Sequence, residues 1–218
     1  MDPSHVPTHS NADIERAAIL TLNSTFPLAL SIPIDIDLVA EKHPMIETLR
    51  LLTDMKKRFN VEAALIAKTN SKCDIFLDDN TNSFYRRRAN FSIAHEVGHV
   101  ILHPSLYENC TTIEDSIELS RRIKQYYKRI EREANIFAGA ILIPRKTIFK
   151  DTNKIYEGML KGLAGDLGWE DVISMLKSTL SNRYQVSAIT MEIRLKNLNI
   201  INKLYNTISQ KLDFIDWN

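Results

Sequence analysis

No apolar run in the 218 residues approaches the roughly 20 needed for a helix to cross a bilayer, which excludes a helical membrane span. The opening MDPSHVPTHSN is polar and Pro-rich and lacks the apolar centre of a secretory signal. Residues 1–10 are therefore expected to form a disordered leader and the protein to be cytoplasmic. Cysteine is scarce. Cys73 and Cys110 are the only two, far apart and in no C-x-x-C spacing, which excludes a disulfide framework and reads as two free thiols in a reducing compartment. An excess of either charge is also missing: 28 Lys and Arg face 27 Asp and Glu, a net +1, so no strong field points to nucleic acid or an anionic membrane. Internal repeats and low-complexity segments are absent as well. What is there is ordinary, 44% hydrophobic and 25% charged, enough for one large domain or a domain with a small appendage.

Hydrophobic periodicity predicts a helix over 11–26 with Asn11 or Asp13 as N-cap, and a short helix near Ile36–His43 after a Pro-punctuated turn. Over 45–59, Ile46, Leu49, Leu52, Met55 and Phe59 share one helical face, so this segment also reads as a helix. VEAALIAKT (61–69) and CDIFLDD (73–79) read as two strands of a hairpin or meander, and TNSFYRRRA as a polar loop. Helical pattern returns over 114–141 and is closed by the proline of LIP (142–144). The segment 145–182 is helical but interrupted by KGLAGDLGW, with its three glycines. Residues 182–201 read as two short helices joined by a tight turn. The expected class is α+β, mostly helical with a small antiparallel sheet: a main domain over 11–150 and a helical C-terminal region over 151–218.

FSIAHEVGHVILH (91–103) contains His-Glu-x-x-His. Successive helical residues rotate by about 100°, so His95 and His99 lie about 40° apart in azimuth and one turn apart in height. Both imidazoles can hold one ion, and Glu96 beside them suits a general base that deprotonates the attacking water. The bland alternative is a helix that happens to carry histidines. It is disfavoured because Phe91, Ile93, Ala94, Val97, Gly98, Val100, Ile101 and Leu102 make the helix nearly all apolar, and buried ionisable groups need a partner. His103 lies about 12 Å along the axis from His95, too far to share a zinc ion with it, and more simply ends the helix before Pro104.

A catalytic zinc keeps three protein ligands and one open position. The best candidate for the third is Glu131 in RIEREANIFAGAILIP (129–144), with Asn135 four residues on and on the same face, able to accept from a ligand histidine. Glu133 lies about 200° from Glu131 and should point elsewhere. The alternative is that both glutamates are solvated beside Arg129 and Arg132; for Glu133 that reading is preferred.

FSIAHEVGHVILH followed by EREANIFAGAILIP resembles the ImmA/IrrE family of metallopeptidases. IPIDIDLVAEKH, VEAALIA with DIFLDDN, and NRYQVSAITMEIRLKNLNII are similar to further segments of that family, the last to its small helix-turn-helix-like element, here at 182–201. The resemblance implies a zincin-like domain with Zn2+ held by His95, His99 and Glu131, Glu96 as catalytic base, and a repressor or other regulatory protein as substrate. Asn135 stands where related proteins often carry Asp. Mn2+ or Fe2+ could use the same ligands. The donor to the developing oxyanion is open, with Tyr126, Tyr127, Tyr85 and Arg86, Arg87 and Arg88 as candidates. An extended substrate could add to the strand at 73–79. In the C-terminal element Val186, Ile189, Ile193, Leu195 and Leu198 could form a small core, Ser187 a cap, and Arg183, Arg194 and Lys196 contacts to phosphates. With near-zero net charge, protein contact is favoured over DNA. The competing function is a DNA- or protein-binding transcriptional regulator with a catalytically silent metal site.

Overall fold

A computed structural model describes residues 6–162 and 169–206. The chain divides into two compact units, Met1–Leu142 and Ile143–Asn218, so the division falls ahead of the boundary expected at residue 150. The class is α+β and mostly helical.

In the first unit α1 (Asn11–Thr25) starts at Ser10, whose hydroxyl caps the Asp13 amide while the Asp13 carboxylate returns to the Ser10 amide. The cap is thus one residue earlier than expected, and Asp13 is its reciprocal partner. Residues 6–10, where the sequence suggests a disordered leader, carry structure. Val6 is buried against Leu106, Cys110, Leu119, Ile123 and Ile130, and Arg129 donates to the Pro7 carbonyl at 2.7 Å. That apolar anchor and the guanidinium outweigh the polar, Pro-rich composition.

After α2 (Ile36–Lys42), residues 46–52 form a strand, β1 (Ile46–Leu52), where the sequence pattern predicts a helix; only α3 (Met55–Phe59) is helical. Thr53 and Asp54 separate the two, with Asp54 in the left-handed region at φ 58°. Spacing of apolar residues at three and four cannot tell a seven-residue strand from two helical turns. The choice is made by β3 (Cys73–Asp78), which pairs with β1 in parallel along one edge and with β2 (Ala63–Ala67) antiparallel along the other. The sheet is therefore mixed, order β1-β3-β2, rather than antiparallel throughout. β3 is central, its edges both taken, so it cannot receive a further strand. β1 and β2 are the edge strands, and of the two β2 borders the pocket that holds His95 and His99. The expected polar loop after β3 is mostly helical too: Asp78 caps α4 (Asp79–Phe84), and α5 (Arg86–Leu102) follows.

One carboxylate organises this corner. Asp78 accepts from the Thr81 amide at 2.9 Å, opening α4, and from the Lys56 amide at 2.9 Å, opening α3. α5 lies across the sheet and packs against α8 (Lys124–Leu142), whose other side is covered by α1. In sequence, α6 (Pro104–Tyr107) and α7 (Ile113–Arg122) connect α5 to α8.

The second unit contains α9 (Arg145–Gly162), α10 (Trp169–Tyr184), α11 (Ala188–Asn197) and helix over 200–206. Most of the Gly-containing interruption expected at 161–169, and the end of the tail, lie outside the described residues. Ser187 caps α11 through the Thr190 amide at 3.0 Å. Val186, Leu195 and Leu198 are buried as expected, but Ile189 and Ile193 are exposed and Met191 takes the inner position. The three basic residues expected to face phosphates are engaged elsewhere. Arg194 is buried and donates to the Ile143 carbonyl, Arg183 pairs with Asp151 at 2.6 Å, and Lys196 pairs with Glu192.

Candidate metal centre

Most of the buried surface of α5 is apolar, with Ala89, Ile93, Ala94, Val97, Val100 and Leu102 buried, and Asn90, Glu96 and His99 are the polar side chains buried among them. Gly98 sets how closely the two helices approach. A Cβ built there would lie 3.1–3.3 Å from the side chain of Phe137 on α8, so Phe137 would have to give by a few tenths of an ångström to admit a larger residue. That contact brings the next residue, His99, towards α8.

His95 and His99 turn their Nε2 atoms together, 2.9 Å apart. Glu131 on α8 meets them, Oε2 at 3.3 Å from His95 Nε2 and Oε1 at 3.4 Å from His99 Nε2. Ligand atoms around a tetrahedral zinc at about 2.0–2.1 Å sit about 3.3 Å from each other. The three side chains thus hold nearly the spacing that one ion requires. Asn135, one turn after Glu131, places Oδ1 at 3.1 Å from His95 Nδ1. An amide oxygen there can accept from an Nδ1–H of His95, the tautomer that leaves a lone pair at Nε2.

Charge in the pocket follows burial and neighbours. Burial pushes both imidazoles towards the neutral form; for His95 the Glu131 and Glu96 carboxylates outweigh it and the net shift is upward, whereas His99 falls to about 4. Burial would also raise Glu131, but its contacts with the two histidines hold it well below the usual carboxylate range. Burial raises Glu96 to about 7, opposed by His95 and reinforced by Glu131.

The cluster opens into a pocket of about 180 Å³. Ala63 and Ala64 of β2 form one wall, Ser116, Ile117 and Ser120 of α7 another, and Glu96, Tyr107 and Tyr127 complete it. A larger cleft of about 870 Å³ runs along β2 and the β2–β3 turn and shares Tyr107 with this pocket. The smaller cavity holds His95, His99, Glu131 and Glu96, so volume is no guide to chemistry here.

The sequence pattern of the IrrE N-terminal-like domain, peptidase M78, matches residues 52–196, which is more than half of the chain and includes α5 and α8. The chain belongs to this family. It is a metallopeptidase family, and the His/Glu cluster fits a metal cofactor and a protein substrate. No curated protein matches the chain. Among the described residues no helix is long and apolar enough to cross a membrane.

Of the oxyanion-donor candidates in this family member, only Tyr127 lines the pocket. Tyr126 packs on the cluster around Val6 and lies under Arg129, 5.8 Å from guanidinium carbon to ring centre. Tyr85 is exposed at the end of α4. Arg86 pairs with Asp37 and Asn82, and Arg88 with Glu62. Arg87 is exposed in the first turn of α5, about 12 Å along the axis from His95, and is not in the pocket wall. Tyr107 was not a sequence candidate. Its ring centre is 5.2 Å from that of His99, and burial, then the charges of Glu96 and Glu131, push its phenol well above the ordinary range. It sits in a four-residue helix behind Pro104, and no periodicity in sequence gives its direction.

Glu133 departs most from expectation. It does point away from Glu131, but not into solvent: α1 and residues 6–10 cover that side of α8, and Glu133 has no exposed surface. It meets His103, also fully buried, at 3.1 Å.

Proposed function

We propose that the protein is a zinc-dependent endopeptidase of the cytoplasm that cleaves a regulatory protein such as a transcriptional repressor. The observation that carries this reading is the convergence of His95, His99 and Glu131 on one point, with Glu96 beside them in an open pocket. Two imidazoles and one carboxylate suit zinc and also serve Mn2+ or Fe2+. When bound, the dication supplies Lewis-acid polarisation of the attacking water and the scissile carbonyl.

The chain's own residues do the rest. Glu96 takes the proton of the water and delivers it to the leaving amine, a task for which its place in the pocket beside the two histidines suits it. Tyr127 and Tyr107 both hold their phenolic protons more tightly than usual, Tyr127 through burial and then the charges of Glu131 and Glu96. Each offers an O–H to a developing oxyanion. Along β2, an extended peptide can bind by backbone hydrogen bonds, and the small side chains of Ala63 and Ala64 leave room for it beside the ligands. The repressor as substrate rests on the resemblance to ImmA/IrrE proteins. A role in DNA binding finds no support in the buried or paired Arg183, Arg194 and Lys196.

The test is to incubate the zinc-loaded protein with candidate repressor substrates, next to a Glu96→Gln variant. Removing the base should lower the cleavage rate about 10²–10⁴-fold while zinc stays bound. Equal cleavage by the variant removes Glu96 as the base, and no cleavage by either protein together with tight operator binding replaces the peptidase with a non-catalytic regulator.

A further inference from the structure

Behind the ligand cluster a second row of polar groups runs into the core, and the peptidase reading leaves it without a task. His99 turns Nε2 to the cluster and Nδ1 away from it, 3.3 Å from Nδ1 of His103. His103 Nε2 lies 3.1 Å from Glu133 Oε2. Arg129 Nη1 is 3.5 Å from the other Glu133 oxygen and donates at 2.7 Å to Thr8 Oγ1. His103 and Glu133 are fully buried. Buried ionisable groups persist only when satisfied, and here each satisfies the other.

Counting protons fixes the direction of the row. A neutral imidazole carries one N–H. If His99 gives its Nε2 lone pair to an ion, its proton sits on Nδ1. Two facing Nδ1 atoms share one proton, so His103 accepts at Nδ1 and keeps its own proton on Nε2, which then donates to the Glu133 carboxylate. One assignment satisfies every atom. We propose that His103 and Glu133 are positioning residues, a buried relay that locks His99 in its Nδ1–H form and raises the basicity of the nitrogen turned to the cluster. The proposal rests on His99 being a ligand.

His9, His103 and Glu133 also offer ligand atoms within 4.8 Å of one another, which raises the prospect of a second cation. Two observations oppose it. Arg129 already sets a fixed positive charge beside Glu133. A cation on His103 Nε2 would also move the His103 proton to Nδ1, drive the His99 proton onto Nε2, and remove the lone pair that the first cluster needs. The shared Nδ1···Nδ1 bond admits one ion, not two.

The test uses the full chain with one equivalent of zinc. Nitrogen-15 NMR of the histidine rings should show His99 protonated on Nδ1 and His103 on Nε2. Chelator competition should show Glu133→Gln and His103→Leu weakening zinc binding about 10–100-fold. His103→Gln, which can accept from His99 and donate to Glu133, should recover most of the loss, and it keeps the test open if the leucine variant fails to fold. His103 protonated on Nδ1, unchanged affinity in Glu133→Gln, or a second zinc lost on His9→Ala overturns the relay alone. No zinc binding by the unaltered chain, or unchanged affinity in His99→Ala, removes the ligand reading and the relay with it.

Discussion

Asn135 Oδ1 lies 3.1 Å from Nδ1 of His95 and reaches it from the neighbouring helix. It holds the imidazole of one candidate ligand as the proposed relay holds the other, but with no carboxylate behind the acceptor. Replacing Asn135 by Ala should weaken zinc binding roughly tenfold, and Asn135→Asp should strengthen it by making the imidazole more basic. Chelator competition with the purified variants checks both directions.

If zinc binds as proposed, removing it should loosen the fold, because His95, His99 and Glu131 join α5 to α8. At free zinc about 100 times its Kd, linkage adds about 2.7 kcal/mol to unfolding. Melting temperature with and without chelator measures this, and Glu131→Ala should abolish the difference.

Gly98→Ala sets two effects against each other. A helix-interior alanine gains up to about 1 kcal/mol over glycine. The new methyl would meet Phe137 at 3.1–3.3 Å, and Phe137 is fully buried with little room to retreat. Overpacking costs about 1–3 kcal/mol, so a net loss of stability is expected in urea denaturation. Zinc affinity should fall with it, since His99 is the adjacent residue.

Asp78 predicts an acid limb in the stability curve. Burial alone would raise its carboxyl, but the amides of Lys56 and Thr81 and the Thr81 hydroxyl outweigh that and hold it below its ordinary value. A carboxyl lowered in the folded state contributes stability that is present above its unfolded pKa and lost as pH falls through the folded one. The loss should therefore set in below about pH 4. Asp78→Ala should cost about 1–3 kcal/mol at neutral pH and flatten that limb, measured by denaturant titration across pH.

Cys73 should be a slow thiol despite its partial exposure. Burial, then the charges of Asp74 and Glu96, push it up to about 12. At pH 8 only about one thiol in ten thousand is then ionised. Alkylation should be slow there and quicken about tenfold per pH unit up to pH 11. Rapid labelling at pH 8 would contradict the burial of this side chain.

The candidate ligands were legible because each belongs to a local pattern. His95 and His99, and Glu131 and Asn135, are pairs four residues apart, and helical periodicity alone puts each pair on one face. β1 was not legible, since Ile46, Leu49 and Leu52 satisfy a helical template and only pairing with β3 decides otherwise. Glu133 shows the same limit at a side chain. Its azimuth follows from sequence, but whether that direction meets water depends on α1 and residues 6–10, more than a hundred positions away. Tyr107 and the double cap at Asp78 likewise depend on contacts that no short window contains.

The first described residues therefore have a stake in chemistry that they never touch. Thr8 and the Pro7 carbonyl hold Arg129, and His9 packs edge-on to His103 with ring centres 5.9 Å apart. Clipping the chain after Ser10 would open the dry side of α8 to solvent near Glu133, so residues 6–10 become something a zinc-binding assay of the candidate cluster can sense.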